Sequence, residues 1–251
     1  MRAERILAPS QSTAELYHRV WPGLPIKVLL HPELGYGDVP VRPIPGAMRT
    51  VAIVGTMSSH KGAAIVEACV RDAEKRKLPL KFVVIGELGT KLASPHLEIL
   101  GPFRPSQLPQ LLSDTEAVIG FLPSIWPETY SYVLSSYYKH GLHPVVFDVG
   151  AQRERVNAMG GTVLPLNMSA PAINDVFLEI NLDAVPAPAA TACVAKHYVD
   201  ACYGELLAAN RLCTVWNHGS KQAGAPQYRS SVQLGCNCEC IDANLSMASA
   251  D

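Results

Sequence analysis

TVAIVGTMSSHKGAAIVEACVRDAEKRKLPLKFVVIG, residues 50–86, is the stretch of sequence that determines the fold. It opens with the apolar run TVAIV (50–54) and closes with KFVVI (81–85), and a glycine follows each run. Short runs rich in β-branched residues are typical of strands that are buried on both faces. The segment between them, 61–77, has apolar residues at the spacing of one helix face. The stretch therefore predicts a strand, a helix and a second strand parallel to the first.

The same alternation continues along most of the chain. Further strands are predicted at 5–8, 26–30, 97–100, 117–122, 144–147 and 163–166. Further helices are predicted at 14–20, 106–112, 128–140 and 152–159. Strands that are continuous apolar runs and alternate with helices indicate an α/β fold, a doubly wound parallel sheet with helices on both faces. Ligands of such sheets bind at the carboxyl ends of the strands, so we expect the functional residues in the loops there.

The composition changes after residue 183. Residues 184–210 begin with the connector AVPAPAATA and continue into a predicted C-terminal helix. Residues 211–251 have little periodicity, so we expect an irregular, disordered tail. The tail carries Cys236, Cys238 and Cys240 in LGCNCEC. Their spacing lacks the two-residue gaps of common structural zinc sites, which favours reduced, solvated thiols over a metal site.

Charge and hydropathy exclude some classes of function. The chain has 21 basic and 22 acidic residues, for a net charge of −1, and a nucleic-acid-binding protein usually has a clear basic excess. No apolar run approaches the roughly 18 residues that a membrane-spanning helix needs. The first residues lack the apolar core of a signal peptide. We therefore expect a cytoplasmic protein that binds no nucleic acid, and we leave peripheral membrane contact open.

The loop VGTMSSHKG, residues 54–62, is the first candidate site. It joins a strand that ends at Gly55 to a helix that begins near Gly62, and the N–H groups of a helix start attract anions. Lys61 adds a positive charge at the same point, which suits a diphosphate. The loop matches neither the dinucleotide-binding motif nor the P-loop. The alternative interpretation is a solvated lysine in the first turn, although a cation there opposes the helix dipole.

The segment FLPSIWPETYSYVLSSYYKHGLHPVVFDVG, residues 121–150, is the second candidate site. Glu128, Thr129 and Tyr130 are predicted at the start of the helix 128–140. A carboxylate at this place can accept N–H bonds or reach a sugar hydroxyl. The alternative is that Glu128 caps the helix and complements its dipole.

The order of these loops resembles the C-terminal domain of retaining GT-B glycosyltransferases. The resemblance covers about residues 50–180 and rests on the sequence VAIVGTMSSHKG, then KFVVIGELG, LEILGPF, PSIWPETYSYVLSS and GLHPVVFDVG. It implies a Rossmann-like domain at 47–183 that binds a nucleotide sugar. It also implies that 1–46 are the remnant of an N-terminal domain and the interdomain linker, so that a separate N-terminal half is an expected partner.

The resemblance also implies roles for individual residues. Lys61 matches the lysine that holds the donor diphosphate, within the loop bounded by Gly55 and Gly62. Glu128 matches the glutamate that approaches the donor sugar, and we take it as the catalytic residue. Thr129 and Tyr130 match backbone positions beside the phosphates. The chain has no Asp-x-Asp motif, so we expect chemistry without a metal or a cofactor other than the nucleotide-sugar substrate.

Three departures from the family pattern leave a second interpretation open. Ser136 occupies the position of the second glutamate, eight residues or about two helical turns after Glu128, where the family binds the ribose. Thr56 replaces an arginine that often follows the first glycine. Most of the acceptor-binding domain is missing, so we expect little transfer to a glycan or lipid-linked acceptor by this chain alone. The alternative is a non-catalytic or degenerate nucleotide-sugar-binding module, and an unrelated flavodoxin-like or epimerase-like protein is a third hypothesis.

Overall fold

The computed structural model describes residues 6–31, 46, 48–89 and 92–182. The predicted connector and C-terminal helix at 184–210, the tail at 211–251 and its three cysteines lie outside these residues, as do residues 1–5 and 32–45 of the predicted N-terminal remnant and linker. Those predictions therefore stay predictions.

The first part of the chain forms a small strand–helix–strand unit, as predicted. Strand β1 (Ile6–Ala8) and strand β2 (Ile26–Val28) pair in parallel, and helix α1 (Gln11–Val20) connects them. Helix α1 begins after Ser10, whose hydroxyl accepts the N–H of Thr13 at 3.2 Å. This hydroxyl satisfies one of the N–H groups that a helix start leaves without a partner.

The second part of the chain forms a parallel sheet of six strands, which confirms the predicted fold class. Its strands in chain order are β3 (Arg49–Val54), β4 (Leu80–Ile85), β5 (Leu97–Ile99), β6 (Ile119–Leu122), β7 (His143–Phe147) and β8 (Thr162–Leu164). The order across the sheet is β5-β4-β3-β6-β7-β8. From β3 the chain continues through β4 to β5 at one edge of the sheet, and from β6 it continues through β7 to β8 at the other edge.

Helices cover both faces of this sheet. They are α2 (Ala63–Arg76), α3 (Leu108–Asp114) after a 3-10 turn at Pro105–Gln107, α4 (Tyr132–Lys139), α5 (Gly150–Met159) and α6 (Ala170–Glu179). On one face, Val66 of α2 and Phe177 of α6 belong to one buried apolar cluster. On the other face, Leu134 of α4 and Val156 of α5 belong to a second. The two clusters confirm the doubly wound arrangement.

Two helices differ from the prediction. Helix α6 was not predicted, although Ser169 precedes it, Pro171 lies in its first turn and Ile173 and Phe177 are buried at helical spacing. Helix α4 begins at Tyr132, not at Glu128 as predicted. The reason for the later start lies in contacts of the preceding loop with helix α5, which are described below.

Candidate functional site

The candidate site lies at the carboxyl ends of the neighbouring parallel strands β3 and β6. The chain connects β3 to β4 on one side of the pair and β6 to β7 on the other side. The loops that leave two such strands diverge, so a crevice opens between them. Here the loops are residues 55–62 and 123–131. The backbone N–H of Ile125 donates to the carbonyl oxygen of His60 at 3.1 Å and joins the two loops.

A cavity of about 500 Å³ occupies this crevice. Its walls are His60, Lys61, Ser124, Trp126, Pro127, Glu128, Thr129, Ser131, Tyr132 and Val133. Lys61 and Glu128, which the sequence analysis placed on two separate loops, therefore border one space. The volume lies within the range of about 300 to 1,000 Å³ that is usual for small-molecule sites.

Lys61 forms the wall near the start of helix α2, and Gly62, which lies between Lys61 and the helix, does not itself border the cavity. Gly62 has a φ of +81°, and a β-carbon on it would lie 2.1 Å from the carbonyl oxygen of Pro123. Only glycine therefore allows the two loops to approach this closely. The helix has no side-chain cap and no acidic residue in its first turn. Among the residues that the structure describes, none forms an ion pair with Lys61.

Gly55 lies at the end of β3, where its N–H donates to the carbonyl oxygen of Ile85 at 2.9 Å. It is not among the residues that border the cavity. The neighbouring Thr56 hydroxyl donates to the carboxylate of Glu87 at 3.4 Å. Gly55 is thus not part of the cavity lining, and its backbone bond joins the end of β3 to the end of β4.

Helix α5 holds the second loop in a non-helical conformation. The side-chain oxygen of Gln152 accepts the N–H of Glu128 at 3.0 Å, and its side-chain nitrogen donates to the carbonyl oxygen of Trp126 at 3.0 Å. The N–H of Ala151 donates to the carbonyl oxygen of Glu128 at 3.0 Å. Gly150 permits this contact, because a β-carbon there would lie 2.6 Å from the Pro127 α-carbon. Since these bonds engage the Glu128 backbone, helix α4 starts four residues later.

The later start changes the position of Ser136. The predicted two helical turns between Glu128 and Ser136 are wrong, because only the last part of that segment is helical. The Ser136 hydroxyl donates to the carbonyl oxygen of Tyr132 at 3.3 Å, within its own helix. Ser136 does not border the cavity. The structure therefore does not bring Ser136 together with Lys61 and Glu128.

Thr129 borders the cavity, but the side chain of Tyr130 faces away from it. The Tyr130 ring is buried, and its centroid lies 4.9 Å from that of His31 and 4.4 Å from the guanidinium carbon of Arg155. Its hydroxyl donates to the carbonyl oxygen of His31 at 3.3 Å. Tyr130 thus connects this loop to the segment that follows β2.

Two residues of helix α5 have roles that the sequence did not reveal. Arg155 is buried and donates to the carbonyl oxygen of Ser131 at 2.7 Å. Glu154 accepts the backbone N–H groups of Gln11 and Ser12. Its carboxylate therefore caps helix α1. The partners are more than 140 residues apart, so no local pattern predicts this contact.

A larger cavity, of about 780 Å³, lies at the opposite edge of the sheet. Acidic residues dominate its charged wall, namely Glu98, Asp114 and Glu116, and its one lysine, Lys81, is paired with Glu98 at 2.6 Å. A space with this charge is unsuited to an anionic ligand, so its larger volume does not make it the better candidate.

Among the described residues there is no group of three or more His, Cys, Asp or Glu side chains that could hold a metal ion. In the same part of the chain, no helix has the length and hydropathy needed to cross a membrane.

Solved structures with a similar fold include several glycosyltransferases. HepE (Alr3699) from Anabaena, solved with UDP and glucose, has a TM-score of 0.57 and 16% identity over 82% of this chain and 64% of its own. A sucrose-phosphate synthase from Thermosynechococcus elongatus has a TM-score of 0.56 and 15% identity over 87% of this chain and 60% of its own. A glycosyltransferase from Rickettsia africae has a TM-score of 0.58 and 16% identity over 76% of this chain and 58% of its own.

These comparisons establish the Rossmann-like fold of GT-B glycosyltransferases. The chain spans less than two thirds of the length of the three structures. Searches with protein-family models and against curated proteins found no match.

Proposed function

We propose that this chain binds a nucleotide-diphosphate sugar in the cavity between residues 55–62 and 123–131, and that it is the donor-binding part of a retaining glycosyltransferase. The proposal depends on one observation: Lys61 and Glu128 border one cavity at the carboxyl ends of β3 and β6, the neighbouring strands between which the strand order reverses. HepE, which shares the fold, has been solved with UDP and with UDP-glucose.

The diphosphate would lie against the start of helix α2. The aligned peptide dipoles of a 14-residue helix leave a partial positive charge at its N-terminus, and Lys61 adds a full charge beside it. The first turn of α2 has no acidic residue that would neutralise the helix dipole or the Lys61 charge, so both can interact with the ligand. Because Gly62 has no β-carbon, the loop at 123–131 can pack closely against the start of helix α2.

The sugar would lie toward Glu128, on the opposite wall. Its carboxylate can accept hydrogen bonds from sugar hydroxyls and can stabilise positive charge that develops on the sugar as the bond to the phosphate breaks. Gln152 bonds the N–H of Glu128 and Ala151 bonds its carbonyl oxygen, so the backbone that carries the carboxylate is held in position. Catalytic groups act best when they are positioned before the substrate arrives.

Transfer also requires an acceptor held next to the donor. The described residues preceding β3 form only the small unit β1–α1–β2, and the chain is shorter than the similar structures. From the resemblance to GT-B glycosyltransferases we infer that an N-terminal half holds the acceptor and completes the site. The acceptor would be a glycan or a lipid-linked molecule in the synthesis of a polysaccharide or glycoconjugate, and the protein would work in the cytoplasm, with or without peripheral membrane contact.

One observation favours a second candidate function, a binding module without catalysis. Ser136 replaces the carboxylate that the family pattern would place there, and its hydroxyl is hydrogen-bonded within helix α4. Binding of UDP-glucose without turnover, when a complementing N-terminal half and an acceptor are supplied, would favour this candidate.

Isothermal titration of UDP and UDP-glucose into the full chain tests the proposal. We expect binding of both, and a loss of at least about tenfold in affinity for Lys61→Ala, because one full charge next to the diphosphate is removed. Lys75→Ala is the matched control, since Lys75 lies in the last turn of the same helix. Equal affinities for Lys61→Ala and the wild type would contradict the proposal.

A further inference from the structure

Ser131 combines two unfavourable features at the wall of the cavity. Its φ is +71°, in the left-handed region that non-glycine residues rarely adopt. The residue is 8% exposed, and its hydroxyl makes no hydrogen bond within the described part of the chain. A buried hydroxyl without a partner destabilises the folded state, as does a left-handed serine.

The other two non-glycine residues with positive φ have an ordinary explanation. Lys77 (φ 53°) and Glu116 (φ 52°) are exposed and follow the ends of helices α2 and α3. A left-handed residue commonly ends a helix, because it lets the chain turn away. Ser131 instead precedes a helix, and its side chain makes no capping bond to that helix. Its hydroxyl therefore does not serve the start of the helix.

The surrounding structure holds Ser131 in place at the cavity. Arg155 donates to its carbonyl oxygen at 2.7 Å and to that of Tyr130 at 3.4 Å, which fixes the backbone on the side away from the cavity. Ser131 borders the same space as Lys61 and Glu128. Because no hydrogen bond holds the hydroxyl, it can turn about χ1 toward a ligand without losing a partner.

We propose that the Ser131 hydroxyl donates a hydrogen bond to a phosphate oxygen of the bound nucleotide diphosphate. This proposal rests on the proposed function. Strained residues and unpartnered buried polar groups persist where a ligand uses them. Ser131 thus supplies a neutral donor from the start of α4, opposite the positive charge that Lys61 and α2 supply.

Two variants separate this role from a structural one. Ser131→Gly removes the hydroxyl and the strain, and Ser131→Ala removes the hydroxyl alone. We expect each variant to weaken binding of UDP and of UDP-glucose about tenfold, because a hydrogen bond to a charged acceptor is lost. We also expect Ser131→Gly to raise the Tm by about 2–4 °C. Ser131→Ala shows that any loss of affinity comes from the missing hydroxyl and not from the added backbone freedom of glycine. Lys77→Gly is the matched control, in which a similar strain is relieved far from the cavity and the affinity should not change.

The readouts distinguish the possible failures. If Lys61→Ala abolishes binding while both Ser131 variants bind like the wild type, the Ser131 proposal is overturned and the proposed function stands. If the variants weaken UDP-glucose but not UDP, the hydroxyl contacts the sugar, and the assignment to the phosphate is wrong. If the wild-type chain binds neither nucleotide, the proposed function fails and the Ser131 proposal with it.

Discussion

The side-chain amide of Gln152 bridges the backbone of the candidate site, because its oxygen accepts the N–H of Glu128 and its nitrogen donates to the carbonyl of Trp126, both at 3.0 Å. Gln152 is fully buried. It lies in the first turn of helix α5, so the position of Glu128 depends on a helix that begins after the next strand of the sheet.

Gln152→Leu should therefore lower both stability and affinity. The substitution leaves the Glu128 N–H and the Trp126 carbonyl without partners, which costs about 2–4 kcal/mol in the free energy of unfolding. We also expect weaker binding of UDP-glucose, since the Glu128 backbone is released. Urea unfolding and titration calorimetry measure the two effects. Gln110→Leu, at an exposed position of α3, controls for the change of residue type, and a loss of equal size there would contradict the bridging role.

Glu128→Gln should separate recognition of the sugar from recognition of the nucleotide. The amide keeps the shape of the side chain but loses its charge, and hydrogen bonds to a carboxylate are about twice as strong as those to a neutral group. We expect the affinity for UDP-glucose to fall about tenfold and that for UDP to stay constant. An equal fall for both ligands in calorimetry would show that Glu128 does not face the sugar.

Gly62→Ala should be strongly destabilising because of the neighbouring loop. Gly62 (φ +81°) and Gly101 (φ +80°) have nearly the same backbone conformation, but a β-carbon at Gly101 would have no atom within 4 Å. Gly101→Ala should therefore cost only the strain of a left-handed alanine, about 1 kcal/mol.

Gly62→Ala adds a clash with the Pro123 carbonyl, for a total loss of about 3 kcal/mol or more in the free energy of unfolding. Urea unfolding of the two variants measures the difference. Equal losses would mean that the loops at 55–62 and 123–131 are not in close contact in solution.

His143 should make stability depend on pH. Burial lowers the pKa of this imidazole below its ordinary value of 6.5, so the unfolded chain takes up a proton more readily than the folded one. The contribution of His143 to stability is thus complete above about pH 6.5, and it is lost progressively as the pH falls from there through the lower folded-state pKa.

His143→Gln should flatten the fall in urea midpoint between pH 7 and pH 5. A wild-type and a His143→Gln protein with the same pH dependence would contradict this assignment.

The sequence predicts the sheet well because most of its strands contain an apolar run that is ended by glycine or a polar loop, and such signals are local. The shared cavity of Lys61 and Glu128 also follows from local signals, since both residues lie in loops that follow strands whose carboxyl ends share one edge. The start of helix α4 could not be predicted, because Gln152 and Arg155 determine it from more than 20 residues away. Helix α6 is a different case, since Ser169 and Pro171 mark its start in the sequence.

A crystal structure of the full chain grown with UDP tests the central claim most directly. We expect the diphosphate between the first turn of helix α2 and residues 123–131, within hydrogen-bonding distance of the Lys61 amine. UDP bound instead in the acidic cavity beside Lys81 and Glu98, or at the Rossmann-like sheet without contact to Lys61, would contradict the account.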